Sequence, residues 1–126
     1  MQDSTETKIK QDILVEIKNL EQSYSIIKSF LAGKDYDNIT IGQTIQSFKD
    51  SISRASAFVL ALYSLKGKRV NIPWESLFTS LDYALATISV SSSPKQNVAV
   101  KTILSMSQEQ IEQVLAYFSA LEESLK

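Results

Sequence analysis

The chain contains no cysteine and no histidine. No disulfide framework, Cys/His zinc site, iron–sulfur cluster or His-ligated haem can therefore be built from it. Ser-His-Asp and Cys-His nucleophile arrangements are excluded on the same ground. Glycine is scarce: Gly33, Gly42 and Gly67 are the only three in 126 residues, too few for a P-loop or a dinucleotide fingerprint. Long apolar runs are also missing. The longest covers the 11 residues 55–65 and is interrupted by Ser56 and Ser64, against the roughly 20 needed to cross a hydrocarbon core. The first residues, Met1-Gln2-Asp3-Ser4-Thr5-Glu6, lack a basic stretch leading into an apolar one. The expectation is a cytoplasmic protein with no secretory signal and no membrane partner. Asn38-Ile39-Thr40 matches a glycosylation sequon in form only.

What is present is ordinary for a folded chain: 44% hydrophobic residues, 21% charged residues and a formal net charge of −1. The length predicts a single domain over residues 1–126. A domain of this size buries roughly two thirds of its unfolded surface.

Helical periodicity runs through most of it. From about Thr5 to Ala32, Ile13, Ile17, Leu20, Tyr24, Ile27 and Leu31 recur at four- and three-residue steps, with Ile9 extending the stripe. Asp3 or Ser4 can cap the start, and Gly33 offers a left-handed stop. Such a helix would be about 42 Å long. A second stripe follows at Ile41, Ile45, Phe48, Ile52, Ala55, Val59 and Leu62, opened by a capping box at Thr40 and Gln43 and closed by Gly67. Its second half has only two residues that are not apolar. A helix apolar on every side is either enclosed by its own bundle or meets another chain.

The third segment is expected to start at Pro73, a residue tolerated at the first helical position, and to carry Trp74, Phe78, Leu81, Leu85 and Ile88. Ser91-Ser92-Ser93-Pro94 ends it. Residues 86–104 admit two readings. Ser93 and Pro94 look like the start of a fresh helix, whereas Thr87 to Val90 and Val98 to Ile103 alternate as a β-hairpin would. Ser107-Gln108-Glu109-Gln110 reads as a capping box before a last helix with Ile111, Val114, Leu115, Phe118, Leu121 and Leu125. Short breaks between segments favour antiparallel neighbours. The fold expected is all-α, a four- to five-helix up-and-down bundle, with a short β-hairpin at residues 86–104 as the alternative.

Chemistry-bearing patterns are thin. No Glu-x-x-His pair exists for a di-metal centre. Asp35 and Asp37 share a loop, but it departs from the EF-hand pattern and lacks its terminal Glu. No catalytic residues, no metal site and no cofactor are expected. Asp82 and Arg54 lie near apolar faces; a boundary salt bridge, or Asp50 with Arg54 one turn apart, accounts for them, with a ligand contact as the alternative.

Charge is distributed unevenly. Residues 1–48 hold 5 basic and 7 acidic side chains, residues 49–101 hold 7 and 3, and residues 102–126 hold 1 and 4. The basic middle includes the turn Lys66-Gly67-Lys68-Arg69, with Lys95 and Lys101 at the same end or on a neighbouring face. Such a turn complements a helix C-terminus. Alternatively it anchors phosphates weakly and salt-dependently, with Tyr63 and Trp74 as nearby stacking partners. Tyr24, Phe48, Phe78 and Phe118 fall on core stripes, whereas Tyr36, Tyr83 and Tyr117 are not assigned by periodicity.

The leading functional expectation is a non-catalytic assembly subunit that contacts another protein or itself through Phe30, Phe58, Leu62 and Tyr63. The alternative is a nucleic-acid-associated subunit using Lys66, Lys68, Arg69, Lys95 and Lys101. In size and helix content the chain is similar to the small all-helical subunits of RNA-guided (CRISPR) interference complexes, a similarity of architecture that no motif carries. A regulator, immunity or inhibitor protein from a mobile element is a third reading.

Overall fold

A computed structural model describes the backbone of residues 2–90 and 94–125 and the side chains of residues 4–88 and 98–125. Five helices follow one another: α1 (Gln2–Leu31), α2 (Asn38–Leu65), α3 (Glu75–Val90), α4 (Pro94–Met106) and α5 (Gln108–Leu125). No strand occurs among the described residues. Thr87 to Val90 lies in α3 and Val98 to Ile103 in α4, so these residues do not pair as the hairpin alternative requires. The Ser93 cap expected before Pro94 lies outside the described residues.

Ion pairs give the directions of packing. Glu6 meets Lys66 at 3.5 Å and Glu16 meets Arg54 at 2.7 Å, so α1 and α2 run antiparallel. Lys49 pairs with Asp82, and a methyl on Gly42 would touch Ile88, so α3 runs antiparallel to α2 and lies beside its first half. In the connection 66–74, Val70, Ile72 and Trp74 are half-buried and Asn71 and Pro73 exposed. Tyr24 of α1 donates to Glu112 of α5 at 3.3 Å.

The core is one cluster drawn from all five helices. Every member of the α2 stripe is buried. In α3 the buried positions are Leu77, Leu81 and Ala84, one step round from the expected Phe78 and Leu85, which are half-buried. The shift has a packing cause: Phe78 turns toward α2, where the Lys49 ammonium sits 5.9 Å from its ring centre.

Helix ends follow local chemistry, with four corrections, the first being that α1 begins at Gln2, ahead of the Asp3 or Ser4 expected to cap it. α1 and α2 both close by the Schellman pattern: Lys34 N–H donates to Ser29 and Gly33 N–H to Phe30, while Lys68 N–H donates to Tyr63 and Gly67 N–H to Ser64. Gly33 has φ 109° and Gly67 φ 69°, the left-handed backbone those turns demand. At the start of α2, Asp37 rather than Thr40 is the cap, its carboxylate accepting from Thr40 N–H at 2.6 Å. A charged acceptor one turn earlier outcompetes the threonine hydroxyl. α3 begins at Glu75, because the Trp74 carbonyl takes its first hydrogen bond from Phe78 N–H at 3.0 Å. Trp74 is held there by its edge-on contact with Tyr117, ring centres 5.7 Å apart. Ser107 does not form a capping box, since its hydroxyl donates back to the Ile103 carbonyl at 2.9 Å. Ser107 is instead a buried joint. Its N–H closes α4 onto Ile103 and Leu104, and its carbonyl opens α5 through Ile111.

Candidate functional site

The apolar second half of α2 is not enclosed. Ala55, Val59 and Leu62 face the core, whereas Ala57, Leu60, Ala61, Ser64 and Leu65 are exposed, with Leu60 at 46% and Leu65 at 48% of full exposure. These positions stand three and four residues apart and so form one continuous outer face. No charged residue lies between Arg54 and Lys66.

The four residues expected to contact a partner lie elsewhere. Phe30 and Leu62 are buried at 1% and 2% exposure and are unavailable for docking, a correction to the sequence reading. Phe30 is in the core because it packs edge-on to Tyr36, ring centres 6.3 Å apart, beneath the loop that joins α1 to α2. Leu62 belongs to the α2 stripe itself. Phe58 and Tyr63 are half-buried against the core. The segment was readable in the sequence but the face was not. Its signal was a second three–four spacing, 57, 60, 61, 64, 65, offset from the core stripe in a stretch where both are apolar.

The basic residues do not form a single patch. Lys66 reaches back to Glu6 at the start of α1. Lys101 lies with its ammonium 4.9 Å from the ring centre of Phe30, at the opposite end of α1. Glu6 and Phe30 are 24 residues apart, which at helical rise is about 36 Å. Lys101 therefore cannot join the turn, which corrects the expectation that they share an end or a neighbouring face. The side chain of Lys95 lies outside the described residues. Lys68 and Arg69 are exposed and make no ion pair with any described residue. Tyr63 and Trp74 are half-buried against the core, and the Trp74 ring is engaged edge-on with Tyr117.

Three titrating groups depart from ordinary values. The hydrogen bond that Arg54 donates to the Glu16 carboxylate raises the pKa of Arg54, and the hydrogen bond that Thr40 N–H donates to the Asp37 carboxylate lowers that of Asp37. Burial, with the neighbouring Tyr63 adding to it, raises that of Tyr117. Asp37 and Tyr117 lie off the outer face of α2, and Arg54 stands one turn before Ala57 on it. Asp82 and Arg54 are both in ion pairs, with Lys49 and Glu16 respectively. Among the described residues, no group of three or more carboxylates converges on a metal-sized site.

Among the grooves on the surface are two of similar volume. One of about 390 Å³ runs between α1 and α5 over Leu20, Tyr24, Leu115 and Phe118. The other, about 380 Å³, lies between α3 and the α4–α5 joint, where Tyr83 is 67% and Met106 80% exposed.

Among the described residues no helix is long and apolar enough to cross a membrane. Comparison with protein families, curated proteins and solved structures finds no match. The chain is defined by its architecture alone: an all-helical protein of five helices with an uncovered apolar face on α2.

Proposed function

We propose that the protein is a non-catalytic assembly subunit that binds another protein through the outer face of α2. The carrying observation is the uninterrupted exposed stripe Ala57, Leu60, Ala61, Ser64 and Leu65 on a helix whose other side is locked into the core. In this reading the five helices act as one up-and-down bundle whose task is to hold that face rigid. A preorganised helix face loses little entropy on docking, which favours affinity from a small contact.

Site-specific photo-cross-linking in the organism of origin tests the reading. A cross-linker at Leu60 is expected to give a discrete protein adduct, and one at exposed Gln22 on α1 none. Equal labelling at the two positions, or no adduct at position 60, overturns it.

Binding of nucleic acid at the turn is the second reading, favoured by the exposure of Lys68 and Arg69, which make no ion pair with any described residue. A nucleic-acid adduct from position 68 that is lost at higher salt would support it.

A further inference from the structure

We infer that the occupant of the α2 face is an acidic amphipathic helix from a partner protein, lying along α2 with its carboxylates over Lys68 and Arg69. This rests on the docking reading above and adds the chemistry of the partner. The face has the relief a helix needs. Ala57 and Ala61 form a low centre between Leu60 and Leu65, so a second backbone can approach closely while its apolar side chains pack beside the leucines.

The face is too small to act alone. From Ala57 to Leu65 is about 12 Å along the axis, and one helix width of about 10 Å gives a footprint far short of the roughly 800 Å² per partner of a standard interface. Attraction from beyond its end is needed, and the adjoining turn carries two exposed cations beside the Lys66–Glu6 pair. The face runs directly into Lys66-Gly67-Lys68-Arg69, where Lys68 and Arg69 are exposed and make no ion pair with any described residue. A carboxylate-bearing helix matches both parts.

A second copy of this chain is a poorer match, since residues 51–69 hold no carboxylate to set against the basic turn. A phosphate backbone would leave Leu60 and Leu65 uncovered, and the nearby rings of Tyr63 and Trp74 are packed. A lipid surface is served poorly as well, since the exposed face holds no aromatic anchor and two of its five members are alanines.

The test uses the whole protein and two synthetic helical peptides of about five turns. Both carry the same leucine stripe, one flanked by glutamates and the other by lysines. Fluorescence anisotropy is expected to show the glutamate peptide binding at least tenfold more tightly at about 50 mM salt, with the gap narrowing at about 200 mM. Lys68→Glu/Arg69→Glu should erase that preference, and Leu60→Glu should abolish binding of both peptides while circular dichroism stays unchanged. Equal binding of the two peptides, lost in Leu60→Glu, overturns the acidic partner but leaves docking by α2 standing. Binding of neither peptide overturns the inference. So does tighter, Lys68- and Arg69-dependent binding to phosphatidylserine vesicles or single-stranded RNA. Failure of the docking reading itself appears separately, as the missing cross-link at position 60.

Discussion

Glu16 and Arg54 meet across the α1–α2 pair in an unequal partnership. Arg54 Nε donates to Glu16 Oε2 at 2.7 Å, yet the carboxylate side chain is 7% exposed and the guanidinium side chain 54%. Asn19 donates to the other carboxylate oxygen at 2.8 Å. Burying an anion is costly unless its lone pairs are met by donors, and these two side chains meet them.

The asymmetry sets an order of effects. Arg54→Ala strands a buried carboxylate with Asn19 alone and is expected to cost about 1–2 kcal/mol, the lower part of the range for an unsatisfied charged group because water can enter where the exposed guanidinium stood. Glu16→Gln leaves the arginine head in solvent and should cost less. Denaturant midpoints of the two variants check the order, and equal losses would contradict it.

Ser56 should be replaceable at no cost. Its hydroxyl is buried without a hydrogen-bond partner in the middle of α2. Ser56→Ala removes the unpaired group and improves helix propensity. A gain of about 0.5–1 kcal/mol is expected in equilibrium unfolding.

Two glycines should respond with opposite sign. Gly42 sits inside α2, and an added Cβ would lie 3.7 Å from Ile88 Cγ2, an ordinary contact. Gly42→Ala should therefore stabilise by about 0.5–1 kcal/mol. Gly33 has φ 109°, and Gly33→Ala should destabilise by about 1–2 kcal/mol despite the open space around it. Thermal unfolding of the pair separates backbone conformation from crowding.

Acid should fray the start of α2. Asp37 has a lowered pKa in the folded protein because its carboxylate accepts the Thr40 N–H. Its contribution is complete above the ordinary value near pH ~3.9 and is lost as pH falls through the lower folded value. Amide exchange at Thr40 and Ile41 should accelerate in that window. Asp37→Asn, which retains an acceptor and does not titrate, should remove the dependence.

Much of the fold was legible because its causes are local. The α2 stripe from Ile41 to Leu62, the stops at Gly33 and Gly67 and the helix opening at Pro94 depend on residues a few positions apart. The starts at Thr40 and Pro73 are misplaced for different reasons. Asp37 takes the Thr40 N–H through a charged acceptor, whereas Trp74, whose indole cannot accept, is fixed by a ring contact with α5. Glu16 escaped notice among the carboxylates, although its place three residues after Ile13 and four before Leu20 puts it beside the core stripe.

By itself, then, the sequence determined that this chain is helical, where most of its helices stop and which stripe of each carries most of the apolar weight, since period and capping act within one or two turns. Only the tertiary structure decided which apolar residues of 55–65 stay uncovered, because both sides of that helix read alike until its neighbours are placed. Tertiary packing also separated Lys101 from Lys66 by the length of α1 and chose Glu16 as the partner of Arg54. Burial and charge pairing across helices depend on which surfaces meet, and periodicity along one helix carries no record of that.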